Sequence, residues 1–267
     1  MRRSVYFLAL ACLLLAACDT KPAAPPVVMI PPTAKTIAVA VIIPPVLRLE
    51  TTGLTAFELS TDIVDIPDWQ LDKVAANEAT AALTPQFTVE SATVDAPITI
   101  RPLSQIDRWM GAQTDDVGAE LRGHIHADRP ADLYLVIFSE PEASLRSTGK
   151  TTVGNRITIP TLGIGVYKER HILRTLAPQA HVYLLMAVVD GHTFSTLALT
   201  GLRMATGRSA IGTTDMPVVP LDNFDWHDDW RDMTAAQHDQ IHSQIVSMLT
   251  ASVGYTIQQI ELVPGAN

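Results

Sequence analysis

The chain has 267 residues and a mass of 28.9 kDa, with 47% hydrophobic and 18% charged residues, so it can bury a sizeable core and wholesale disorder is excluded. Its formal net charge of −9 and pI near 5.3 argue against a nucleic-acid binder that works through a basic surface.

At the start, Arg2 and Arg3 precede a nearly unbroken apolar run from Val5 to Leu15. That run has the length of a signal h-region and is too short to span a bilayer comfortably. Ala16 and Ala17 then offer small side chains to a peptidase, and Cys18 offers a thiol. Leu15-Ala16-Ala17-Cys18 resembles the lipobox of bacterial lipoproteins, which implies that residues 1–17 are a signal peptide and that Cys18 carries a lipid thioether. The mature chain would then have 250 residues and a charge of −11, because Arg2 and Arg3 leave with the signal. So acidic a body is repelled by anionic headgroups, so the acyl chains must anchor it, and stable anchoring takes more than one. The expected place is a cell membrane with the body facing the periplasm, inner and outer membrane both being open. Cys12 and Cys18 are the only cysteines, so no disulfide is expected. The competing reading is an ordinary secretory signal in which Cys18 is incidental.

Residues 18–35 follow as a tether, with five prolines that favour polyproline II over helix or sheet. From residue 36 to 267 the pattern is that of one folded domain. Thr36 to Ile43 is a β-branched run closed by Pro44-Pro45, and suits a strand covered on both faces. A helix is predicted from about Pro67 to Leu83, with Leu71, Val74, Ala75, Ala82 and Leu83 on one stripe and Pro85 as its stop. Phe87 to Val94 reads as a strand, residues 103–127 as mostly helical, and Asp132 to Ser139 as a buried strand.

Further strands are predicted at about 157–168, 180–189 and 193–202, the last two joined by a hairpin at Asp190-Gly191-His192. An amphipathic helix from about Thr234 to Glu261 closes the body, its apolar stripe being Ile241, Ile245, Leu249, Val253, Ile257 and Ile260. The fold class expected from this order is α/β (α+β): a single domain whose mixed sheet is flanked by helices. The parallel part would come from the first crossovers and the antiparallel part from the hairpin. The opening strand, the phrase Ala131-Asp132-Leu133-Tyr134-Leu135-Val136, the Asp190-Gly191 hairpin and the long last helix are similar to features of known envelope lipoproteins. Those are the relatives of the TolB N-terminal domain and the curli-type secretion lipoproteins. The similarity implies an envelope role and transfers no site residue.

The stretch with the most chemistry is Asp222 to His242. His238 and His242 stand at i and i+4, the spacing with which zinc proteases present two imidazoles, and Asp239 takes the place of their glutamate. Asp225 or His227 would have to supply a third ligand. The plain alternative is a solvated acidic start to a helix, with aspartates stabilising its positive end. His124 and His126 would diverge on a helix and share a face on a strand. Gly163-Ile164-Gly165 and Gly149-Lys150-Thr151 read as turn glycines, lacking the rest of a dinucleotide or phosphate loop. No Gly-x-Ser-x-Gly elbow is present. Trp226 and Trp230, four apart among acids, read as a lid on the core or as a partner-binding edge.

The expected function is therefore that of a lipid-anchored envelope protein that binds another envelope component without catalysing a reaction, and no cofactor is expected. A metal-dependent hydrolase built on His238 and His242, or an oligomeric secretion-channel subunit using the loop from Ser144 to Thr158, are the alternatives.

Overall fold

A computed structural model describes residues 27–52, 59–95, 116–139, 151–152, 158–159, 163–169, 177–205 and 217–264. In chain order these form strands β1 (Val27–Ile30), β2 (Thr36–Ile42), β3 (Val46–Thr52) and β4 (Leu59–Asp65), a 3-10 turn (Pro67–Trp69) and helix α1 (Leu71–Leu83). Strand β5 (Thr88–Val94), helix α2 (Asp116–Leu121) and strands β6 (Ile125–Ala127), β7 (Leu133–Phe138), β8 (Thr151–Thr152), β9 (Thr158–Ile159) and β10 (Gly163–Glu169) follow. Strands β11 (Gln179–Tyr183), β12 (Leu185–Asp190), β13 (Thr196–Gly201) and β14 (Val218–Pro220), helix α3 (Ala235–Gln259) and strand β15 (Glu261–Pro264) complete the described chain.

Two mixed sheets carry the fold, six-stranded in the order β13-β12-β7-β2-β5-β6 and five-stranded in the order β14-β11-β10-β3-β4. In the six-stranded sheet β2 pairs in parallel with both β5 and β7, while β12 and β13 form an antiparallel hairpin beside β7. The run Thr36–Ile42 is indeed covered on both faces. Ile37 and Val39 join the main core with α1 and α3, whereas Ala38 and Ala40 join a second core with Val117 and Leu121 of α2. Leu47, Leu49, Ile164, Val166, Ala180 and Val182 of the five-stranded sheet complete the main core. Every member of the predicted α3 stripe is buried, and α3 begins with a capping box in which Thr234 and Gln237 satisfy each other's backbone N–H groups.

The structure changes four expectations. First, the single sheet is two, because the expected strand 180–189 breaks at Leu184 and serves β11 in one sheet and β12 in the other. All ten residues from Ala180 to Val189 are buried, so no polar alternation marks the corner. Second, β3 and β4 occupy a stretch to which no element was assigned, although Leu47-Arg48-Leu49-Glu50 alternates as a strand should. Third, the tether expected to run to residue 35 ends sooner: Val27–Ile30 is a strand, paired in parallel with Glu261–Pro264, and Val28 and Ile30 are buried. That pairing also ends the last helix at Gln259. Fourth, Ile125–Ala127 is a strand against β5 where helix was expected.

The Asp190-Gly191 hairpin is present, with a longer connection than the dipeptide suggested. Asp190 Oδ1 accepts from the backbone of His192 and Thr193 and from the Thr193 hydroxyl, and Gly191 passes so close to the backbone of Ala131 that any Cβ would collide with it. Residues 1–26 and 144–150, including Ala17 and Cys18, lie outside the described residues.

Candidate functional site

The loop before α3 is pinned to the first turns of that helix. Gln237 Nε2 donates to the Asp225 carbonyl at 2.6 Å, Gln240 Nε2 donates to the Asp222 carbonyl at 3.3 Å, and the Asp229 carboxylate caps the 3-10 turn Trp230–Asp232. Asp229 also accepts two side-chain hydrogen bonds from Arg231, at 3.0 and 2.6 Å, and these bonds hold its carboxyl at about 2.

On this support the two imidazoles of the candidate metal pair go to different partners. The His238 ring lies flat on Trp230, with centroids 3.8 Å apart and an interplanar angle of 5°, and its Nε2 stands 3.1 Å from the Trp230 carbonyl oxygen. His242, one turn later, faces Trp69 at 4.7 Å, and Trp69 lies 6.3 Å from Trp230. The four rings form one half-buried cluster. The Asp225 side chain is 90% exposed and sits 3.7 Å from His227 Nε2. Among the described residues no three His, Cys, Asp or Glu side chains are arranged to hold a metal ion. The i, i+4 spacing thus sets both imidazoles against indole rings, His238 on Trp230 and His242 on Trp69.

Trp226 and Trp230 both pack against the main core and both remain partly exposed. Trp226 Nε1 donates to Asp228 Oδ1 at 2.9 Å, Asp228 also accepts from the Thr51 hydroxyl at 3.3 Å, and Lys168 Nζ lies 5.9 Å from the Trp226 ring centre. At the carboxyl end of β2 and the start of α1 opens a cleft of about 370 Å³ lined by Ile43, Pro44, Pro45, Ile66, Pro67 and Leu71, with Gln70, Asp72 and Lys73 as its polar members. The carboxyl ends of parallel strands are where α/β sheets usually bind ligands.

Two further groups stand apart from this face, the first of which escaped the sequence reading. Across the face of the five-stranded sheet turned away from the main core, strand register places Gly165 between Arg48 and His181, and Tyr167 beside Glu50. Arg48 and Glu50 are buried and paired, Nε to Oε1 at 3.3 Å, and His181 is wholly buried and stacked on Tyr183 at 5.0 Å, with neither ring nitrogen hydrogen-bonded. Burial pushes His181 down to about 4, Glu50 opposing and Arg48 reinforcing the shift, and burial pushes the Tyr183 phenol up. Gly165, expected in a turn, is mid-strand, where a Cβ would collide with the Arg48 carbonyl oxygen and stand 2.7 Å from His181 Cε1. The alternation of β3 was the signal for Arg48 and Glu50; nothing local marks His181.

The second group is the pair His124 and His126, which share the Asp95 carboxylate at 3.0 and 3.1 Å, one ring nitrogen to each oxygen. Hydrogen bonds from His126 and then His124 hold Asp95 below the usual carboxylate range.

No family model matches this chain, and no curated protein matches it. Among solved structures it is similar to protein XCC0632 of Xanthomonas campestris, described under the family model DUF330, at 11% identity over 88% of this chain and 94% of that one, with a TM-score of 0.33. It is also similar to the hypothetical protein CT253 of Chlamydia trachomatis, at 10% identity over 82% of this chain and 98% of that one, with a TM-score of 0.22.

Proposed function

We propose that this chain is a lipid-anchored envelope protein that faces the periplasm and binds another envelope component without catalysing a reaction. The observation that supports the reading is the ring cluster of Trp69, Trp230, His238 and His242, which leaves half-exposed indoles at a surface. Indole is enriched where protein partners bind most tightly. Anchoring through Cys18 rests on Leu15-Ala16-Ala17-Cys18. Because β1 starts at Val27, only residues 19–26 separate that cysteine from the fold, a reach of at most about 30 Å for an extended chain. The body therefore works close to the bilayer.

Mass spectrometry of the amino-terminal peptide should find a lipid thioether on Cys18, and Cys18→Ala should move the protein from the membrane pellet to the soluble fraction. A photocrosslinker in place of Trp226 should give one discrete adduct in intact cells, and the same group in place of Glu90 should not. Unmodified Cys18 removes the anchor, and the absence of any adduct removes the binding role.

A further inference from the structure

Segments 62–73 and 222–239 contain ten aspartates against Lys73 and Arg231, which amounts to eight of the nine net negative charges of the chain, and they hold three of its four tryptophans. The two segments meet in space through Trp69 and Trp230. Arg231 is already engaged by Asp229, and nine of the ten aspartates are exposed. Their carboxylates are spread over the face, and no three of them are arranged to hold a metal ion. A distributed negative field of this kind matches an extended cation better than a single ion. The apolar cleft lies on the same segment: Ile66, Pro67 and Leu71 line it on either side of Trp69, which belongs to the ring cluster. At about 370 Å³ it falls at the small end of ligand pockets, and suits one or two apolar side chains.

We infer that this face docks a cationic polypeptide segment of an envelope partner. One apolar side chain of the segment enters the cleft beside Ile43 and Leu71, while its lysines and arginines meet the aspartates and the exposed parts of the indoles. The inference rests on the envelope-binding reading and names the chemistry of the partner. Lys168, 5.9 Å from the Trp226 ring centre, already places an ammonium over one of these indoles. Attraction between exposed charges is screened beyond about 10 Å at 0.1 M salt, so the docking should be strongly salt-dependent while the apolar anchor should not be.

The test uses the full chain purified in detergent and a fluorescent twelve-residue peptide with a central Leu-Leu flanked by lysine and arginine, read by anisotropy. Saturable binding is expected, weaker by about tenfold or more between 0.05 and 0.3 M salt. Replacing the two leucines by serine should weaken it by about tenfold. Asp68→Asn with Asp72→Asn, both at exposed positions, should weaken it by about fivefold or more. A charge-reversed peptide should not bind. Absence of saturable binding, indifference to the aspartate changes, or indifference to loss of the leucines would each overturn the inference. A Trp226 adduct in cells alongside no peptide binding rejects the cationic partner and keeps the binding role; absence of both rejects both.

Discussion

His181 and His238 are two imidazoles lying on aromatic rings, yet their surroundings are opposite. His181 is wholly buried on Tyr183 with both nitrogens unpartnered, so only its neutral form is tolerated. His238 lies on Trp230 at a half-buried surface, among aspartates that water solvates. Around His181 the polar atoms are enclosed by the fold, and their charge state becomes a term in its stability. Around His238 the charges are exposed, contribute little to folding and are free to meet a partner. The comparison separates a row of residues that the fold must tolerate from a face that the fold presents.

The largest effect should come from crowding the buried row. Gly165→Ala places a methyl 2.7 Å from His181 Cε1, so a loss of about 3 kcal/mol is expected in urea unfolding. A variant as stable as the parent would mean that the row is loosely packed.

Acid comes next. The folded-state pKa of His181, about 4, lies below its ordinary 6.5, so between these values the unfolded chain binds the proton and the folded chain does not. The stability tied to this group is thus complete above pH 6.5 and is lost as pH falls toward 4, about 3 kcal/mol in all at 1.4 kcal/mol per unit. His181→Leu should flatten the unfolding curve in that window, and an unchanged pH dependence would show that another group is responsible.

Asp132 sits between the two extremes. Its Oδ2 accepts from the Lys35 and Thr36 backbone N–H groups and the Thr36 hydroxyl, which ties the start of β2 to β7 and lowers the carboxyl to about 2. Its stabilisation is present above pH 3.8 and lost as pH falls toward 2. Asp132→Asn should cost about 1–2 kcal/mol at neutral pH in thermal or urea unfolding, since the side chain is partly solvated.

The smallest effect should be at the presented face. His238→Ala removes one stacked ring and one hydrogen bond, about 1 kcal/mol, and should leave zinc content, measured on untagged protein, unchanged. Bound zinc that disappears with this substitution would favour the metal reading.

Local pattern carried much of the fold. The β-branched run before Pro44 and the stripe from Ile241 to Ile260 are each set by neighbours within a few residues, and each became the expected element. The division into two sheets was invisible because Ala180 to Val189 is buried at every position, with only His181 interrupting its run of apolar and aromatic residues, and such runs carry no period to locate a bend. The pairing of β1 with β15 joins residues more than 230 positions apart, and prolines on both sides of Val27–Ile30 disguised the strand.

At the candidate site, sequence spacing put His238 and His242 on one helix face and Trp226 and Trp230 beside them. It could not say that Trp69, from the turn before α1, would lie between them and claim an imidazole. What the amino-acid sequence alone determined about this protein is its composition, its charge and the elements whose signals are short-range. Which strands share a sheet, why Gly165 must lack a side chain, and where the aspartates of two distant segments combine were decided by tertiary structure. Register and packing bring together residues whose identities hold no information about each other.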